Sequence, residues 1–177
     1  MSCTVTLADI IYSCDDLGVG GIVELHIANK LSAEAALTGV GSADRAITAA
    51  TAVSGIVNLG FNLKDGFSVF SEVKTVNADG TTSTVPTISV ELPKMDADKI
   101  TSLNNISKGG AELVAFVKTA AGTYHVSGLD YGLYAATVDG NSGTGRAEKN
   151  RFQLTLTGEE NGLSHSIEAA DFGLATA

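Results

Sequence analysis

The chain has 177 residues, 44% of them apolar, and a formal net charge of −9 from 20 acidic and 11 basic side chains. This length suits a single domain spanning residues 1–177, because a chain of this size can bury enough surface to form one core. The acidic balance argues against binding to the outside of a nucleic acid, which needs clustered lysine and arginine to displace counterions.

The first residues predict neither export nor a membrane anchor. Residues 1–14 lack a basic start, and Asp9 interrupts their apolar stretch, so we expect no secretory signal. No window approaches the roughly 20 apolar residues of a membrane span. We therefore expect synthesis in the cytoplasm, with Cys3 and Cys14 reduced; a disulfide between them is the alternative.

The first predicted elements are a strand and an alanine-rich segment. VGGIVELHIA at 19–28 alternates in polarity and has one strongly apolar face, which is typical of a strand. Residues 31–53 contain eight alanines and few large apolar side chains. We interpret them as a variable loop or short helical insertion, in which Asp44 could cap a helical turn through Arg45, Ala46 and Ile47. Because the segment is too poor in large side chains to form a core alone, we expect it at the periphery or at a subunit contact.

A hairpin is the clearest element. Residues 67–76 and 82–92 alternate with period two, and Asn77 to Gly80 supplies the turn. On the first strand Phe67, Val69 and Val73 are predicted to face one side. The residues predicted to share the opposite, polar side are Ser68, Glu72, Lys74, Thr87, Ser89 and Glu91, with Phe70 as an exception among them.

One short helix and further strands complete the prediction. Asp96 is a good N-cap, Met95 can pack on Ile100, and Ile100 with Leu103 forms the expected buried stripe. The later predicted strands are 112–118, 124–129, 133–138, 151–157 and 165–169. The sequence therefore predicts an all-β fold, a sandwich or partly closed barrel, with one short flanking helix.

No set of residues predicts catalysis or a cofactor. The glycine-rich segment 139–145 lacks the lysine of a phosphate loop and precedes a strand, so a hairpin loop is favoured. His26, His125 and His165 lie on different strands without metal-ligand spacing, and we expect them at the surface or at sheet edges. The neighbouring carboxylates at 15–16 and 159–160 are interpreted as solvated turn charges. We expect no enzyme, no metal site and no cofactor.

Several segments resemble the tail tube proteins of tailed phages, especially a group from phages of Bacteroidetes-type hosts. The segments are CDDLGVGGI at 14–22 with LHIA at 25–28, GLDYGL at 128–133, SGTG at 142–145 and NRFQLTLTGEE at 150–160. The similarity covers most of the chain except residues 31–53. It implies a small β-sandwich with a flanking helix that forms hexameric rings, and these stack into a tube through which DNA leaves the capsid.

The resemblance also implies partners and a location. We expect copies of the chain itself and other tail proteins as partners, DNA passing through the lumen without specific binding, no membrane in the assembled state, and a place in the virion tail. A head-to-tail connector, ring or other minor tail subunit of the same fold is the first alternative. A carbohydrate- or protein-binding β-sandwich module is the second, although tryptophan is absent and the four tyrosines are not periodic.

If subunits close a ring, the hairpin is the predicted inner wall. Its polar residues, named above, would face the channel, and its apolar residues would pack against the subunit's own sandwich. A net-negative wall would repel DNA phosphates, so that the polymer slides instead of binding. Lys74 partly offsets the charges of Glu72 and Glu91.

Overall fold

A computed structural model describes residues 20–40, 45–60, 68–143, 145 and 148–177. Its three helices are α1 Lys30–Ala36, α2 Ala97–Ile106 and α3 Ala169–Ala175. Its longer strands are β1 Ile22–Asn29, β6 Val69–Val76, β7 Thr82–Pro93, β8 Leu113–Thr119, β9 Tyr124–Ser127, β10 Leu133–Asn141, β11 Arg151–Gly158 and β12 His165–Ile167. Four strands of two residues each are β2 Leu37–Thr38, β3 Ala46–Ile47, β4 Ala49–Ala50 and β5 Val57–Asn58.

The long strands form two layers that share one continuous hydrogen-bonded path. The first layer, sheet one, has the order β5-β1-β8-β9-β12-β3. The second layer, sheet two, has the order β10-β11-β7-β6 and is antiparallel throughout. A single register pair, Leu133 with Leu113, connects the two layers. The fold is therefore sheet-dominated and sandwich-like, as the alternating sequence patterns predict.

The first core fills the space between the two sheets. Leu154 and Leu156 of β11 and Val90 of β7 are fully buried, and they belong to the same cluster as Leu25 and Val117 of sheet one. Helix α2 closes this core with Leu103 and Ile106. Each inward side chain alternates with an outward one, so sheet two has a second face that no sheet formed by the described residues covers.

A second core lies on the other face of sheet one, which is therefore buried on both sides. Phe116 of β8 is fully buried there and makes an edge-on ring contact with Phe172 of α3, with centroids 6.4 Å apart. The described residues of the segment 31–53 cover this face with small and aliphatic side chains, among them Ala33, Ile47 and Val53. These residues thus lie at the periphery of the fold, where they complete a core that other elements begin.

Several local predictions are confirmed and others are wrong. Asp96 caps α2 by accepting a hydrogen bond from the Lys99 N–H at 3.0 Å, as predicted. Ile100, however, is 45% exposed, and Ile106 takes its expected place beside Leu103 in the buried stripe.

The described residues form three helices, and the sequence predicted α2 as the one flanking helix. Helix α1 begins the segment 31–53, for which a short helical insertion was one of the two interpretations, whereas α3 was missed. The predicted helical turn at 45–47 is also wrong. Ala46–Ile47 is the strand β3, which pairs in parallel with β12. Asp44, Cys3, Cys14, Phe67 and the pair Asp15–Asp16 lie outside the described residues.

Candidate functional site

The outward face of sheet two is mostly polar and is here called the polar face, although Val69, Val73 and Val85 also lie on it. Directly opposed residues of antiparallel strands point to the same side, so the strand register assigns its members. Its polar members are Tyr134, Thr137, Asp139 and Asn141 on β10, Arg151, Gln153, Thr155 and Thr157 on β11, Ser83, Thr87, Ser89 and Glu91 on β7, and Ser71 and Thr75 on β6. Hydroxyl groups dominate it, and the Ser89 and Thr155 hydroxyls lie 3.3 Å apart at its centre.

The six residues predicted to share one face are divided by the register. Thr87 and Ser89 lie on the polar face, as does Glu91. Ser68, Glu72 and Lys74 lie on the opposite side of β6, so the predicted common face is wrong for this strand. Their side is fixed by Phe70, which pairs with Ile88 and packs against the first core.

The error on β6 has a physical reason. Val69 and Val73 are 48% and 62% exposed, because the larger Phe70 ring packs against the core and both valines then face outward. Since side chains alternate with period two, a change of one residue in phase moves every side chain of the strand to the other face. Phe70, the exception in the predicted pattern, is the residue that determines the phase.

Glu91 contributes little free negative charge to the polar face. Its carboxylate is only 6% exposed and accepts a hydrogen bond from the Arg151 guanidinium at 2.5 Å. Lys149 lies 3.6 Å from the other carboxylate oxygen. The polar face is therefore hydroxyl-rich and close to electrically balanced, so its properties differ from the net-negative wall that the sequence predicted.

Both edges of sheet two are open among the described residues. β6 is the outermost strand, and β10 pairs with β8 only at Leu133. The backbone N–H and C=O of Thr84 both bond to Glu160, on the β11 side of β7. Because backbone groups alternate in direction along a strand, the even-numbered residues of β7 bond toward β11 and the odd-numbered ones toward β6. By register, the backbone groups of residues 70, 72, 74 and 76 then point away from β7, toward the open edge of β6.

A serine, a histidine and a carboxylate meet behind β6. Glu72 accepts hydrogen bonds from the Ser164 N–H at 2.7 Å and from the Ser164 hydroxyl at 3.0 Å. The Ser164 Oγ also lies 3.3 Å from His125 Nδ1. Because the hydroxyl proton goes to Glu72, Nδ1 must be the donor to Oγ, and Nε2 then accepts from the Thr123 hydroxyl at 3.0 Å.

This arrangement differs from a catalytic triad. In a triad the histidine stands between the nucleophile and the carboxylate, takes the hydroxyl proton and is oriented by the acid. Here the serine stands in the middle, and its proton is held by the carboxylate. The geometry suits a structural connection between the two sheets better than activation of a nucleophile.

A buried ionic cluster lies at the end of the sandwich where β11 ends. The Arg45 guanidinium contacts Asp130 at 3.0 Å and Glu160 at 3.5 Å, and its Nε donates to the Leu163 carbonyl. Burial, reinforced by the charge of Asp130, raises the pKa of Glu160 to about 7, although the Asp130 N–H opposes the shift. Burial opposes ionisation of Asp130 too, but the Asn161 N–H and the Arg45 guanidinium hold its pKa below the usual value.

No local sequence pattern indicates this cluster, because its members are far apart along the chain. Glu160 was interpreted as a solvated turn charge, which is wrong, since only 2% of the residue is exposed. The expected surface position is also wrong for His26 and His165, which are 7% and 1% exposed. Burial lowers the pKa of both histidines, and the Arg45 charge adds to the effect at His165.

Within the described ranges, no group of three or more histidine, cysteine, aspartate or glutamate side chains has a geometry that could hold a metal ion. None of the helices in this part of the chain is long and apolar enough to cross a membrane. Within the glycine-rich segment, residues 139–141 are the end of β10, and the Gly143 N–H donates to the Asn141 side-chain oxygen at 2.8 Å.

Comparison with known proteins identifies no relative. No protein family matches the sequence. No curated protein and no solved structure matches it either.

Proposed function

We propose that this chain is a structural subunit that assembles with copies of itself into rings and tubes, as the tail tube of a bacteriophage does. The observation that carries the proposal is the construction of sheet two. Among the described residues it has one face in the core, one hydroxyl-rich outward face and two open edges. The resemblance to tail tube proteins gives this surface a purpose, since such a subunit needs edges to join its neighbours and a polar face to line a channel.

The open edges favour a closed ring. The strands of sheet two alternate in direction, so β6 and β10 run antiparallel to each other. When a second copy is placed beside the first by rotation about an axis along the strands, its β10 meets β6 of the first in antiparallel orientation. The same step repeats around the ring and uses both edges of every copy, so no edge is left exposed to aggregate.

The dimensions fit a channel for DNA. With six copies, as the resemblance implies, four strands per copy at about 4.8 Å spacing give a circumference of about 115 Å. The corresponding diameter is about 37 Å for untilted strands and larger for tilted ones, which is wider than a B-form duplex. In this arrangement the polar face lines the channel.

The polar face also suits the passage of DNA. Tight non-specific binding to DNA requires clustered lysine and arginine that replace condensed counterions. Arg151 is paired with the buried Glu91, so its charge is largely neutralised within the subunit. Serine and threonine hydroxyls keep the wall hydrated without attracting phosphates strongly, and DNA can slide along it.

Blocking the edge of β6 tests the proposal. Proline is tolerated on an edge strand where the lost N–H faces outward, and position 74 meets this condition. We expect Lys74→Pro to abolish assembly in sedimentation velocity and negative-stain microscopy, while its circular dichroism stays that of the wild type. Lys74→Gln keeps the N–H, removes the same charge, and should assemble normally. Normal assembly of the proline variant would contradict the proposed edge pairing.

A further inference from the structure

The inward side of β6, together with Ser68 directly before it, contacts the elements of sheet one at three alternate positions, 68, 70 and 72. The Ser68 hydroxyl lies 3.3 Å from both the N–H and the carbonyl oxygen of Ile22 in β1. The Phe70 ring contacts the His125 ring of β9, with centroids 5.7 Å apart. Glu72 binds Ser164, which directly precedes β12. Beyond Glu72, residues 73–76 of β6 are all exposed.

An edge strand normally depends on its single neighbour. β6 pairs only with β7 among the described strands, and the ends of edge strands open easily when few buried contacts hold them. Glu72 changes this, because its carboxylate accepts two hydrogen bonds from one residue of the other layer. Hydrogen bonds to a charged acceptor are about twice as strong as those between neutral groups.

We infer that Glu72 is a positioning residue, which together with Ser164 and His125 fixes β6 to sheet one and so holds its open edge in the geometry required for pairing with a second copy. The consequence for pairing rests on the proposed function, but the attachment itself does not. We call the contact between Glu72 and Ser164 the anchor. His125 stabilises it, since its Nδ1–H donates to the Ser164 hydroxyl, which in turn donates to Glu72.

The anchor makes the pairing of β6 with a second copy more favourable, because β6 is already ordered before the second copy binds. A neighbouring strand can dock only when the backbone groups at positions 70, 72 and 74 are aligned, and a loose edge must lose conformational freedom first. With the anchor in place this loss has already occurred on folding. Removing it should therefore weaken assembly more than it weakens the subunit as a whole.

Amide hydrogen exchange on the unassembled subunit is the test. In Glu72→Ala we expect the amides of Ser71 and Val73 to exchange at least tenfold faster, where tenfold corresponds to about 1.4 kcal/mol. The amides of β8 and β11 should keep their wild-type rates. Ser164→Ala, which leaves the backbone donor in place, should give a smaller effect in the same direction. Ser164→Thr, which keeps the hydroxyl, should restore wild-type exchange.

Assembly is measured on the same proteins. Glu72→Ala should raise the concentration needed for assembly at least tenfold, while Glu159→Gln, which removes an exposed carboxylate, should leave it unchanged. Unchanged exchange in β6, or equal acceleration in every strand, would overturn the inference. If the wild-type chain does not assemble at all, the proposed function fails, but the exchange rates of β6 still decide whether the anchor exists.

Discussion

Replacing Glu160 with glutamine should change how the stability of the subunit depends on pH. The carboxyl group is buried beside Asp130 and Arg45, and its pKa is raised to about 7 from a usual value of 4.5. The folded chain therefore binds more protons than the unfolded chain between these two pH values. Stability conferred by this group is fully present below pH 4.5 and is lost as the pH rises through 7.

The size of the effect follows from the shift. At 1.36 kcal/mol per pKa unit, the shift corresponds to about 3 kcal/mol. Glutamine cannot ionise, but its side-chain oxygen can still accept the Asp130 N–H that Glu160 accepts at 3.1 Å. We compare the free energies of unfolding of the wild type and of Glu160→Gln at each pH. The wild type should lose about 3 kcal/mol relative to the variant between pH 4.5 and 7.5.

Urea unfolding at several pH values measures this difference. His26, His125 and His165 all have lowered pKa values because of burial, so they remove stability as the pH falls below 6.5. They are present in both proteins, and their contribution largely cancels in the difference. Glu159→Gln, at the exposed neighbouring position, is the matched control and should run parallel to the wild type. If the Glu160→Gln profile also ran parallel to the wild type, the Glu160 carboxyl group would not have the raised pKa that the burial implies.

Two further predictions concern the folded subunit. Gly128 has a φ of +97°, and an added Cβ would lie 2.5 Å from the Leu113 carbonyl oxygen, so Gly128→Ala should destabilise strongly in urea unfolding. Gly122 has a similar φ of +84° but open space around it, so Gly122→Ala should lower the free energy of unfolding by only about 1–2 kcal/mol. Equal losses for the two variants would contradict the steric argument. Phe116→Ala empties the centre of the second core and should lower the free energy of unfolding by about 3–5 kcal/mol; a loss below 1 kcal/mol would mean that the segment 31–53 collapses into the space.

The strands could be predicted from the sequence because their alternation is strong. In β11 the buried Phe152, Leu154 and Leu156 alternate with Gln153 and its polar neighbours, so the polar face could have been extended to this strand from the sequence alone. The hairpin was located correctly, but the phase of β6 was not. The two valines predict that one side of β6 is buried, and the phenylalanine predicts that the other side is. Only the pairing of β6 with β7 decides between these two phases.

The remaining features depend on contacts between distant parts of the chain. α1 and α3 are each seven residues long, too short for a clear helical period, and small or mixed side chains fill them. Arg45, Asp130 and Glu160 are separated by at least 30 residues along the chain, and loops bring them together. No local pattern marks such a cluster, because burial is a property of the fold as a whole. The attachment of Glu72 to Ser164 was missed for the same reason.

Electron cryomicroscopy of the purified, concentrated protein tests the central proposal most directly. We expect hollow rings or stacked tubes in which β6 of one copy lies beside β10 of the next. In such a reconstruction Ser89 and Thr155 should face the lumen, and Glu72 should stay in contact with Ser164 behind the wall. Particles that remain single subunits at high concentration, or an assembly with the polar face of sheet two on its outer surface, would contradict it.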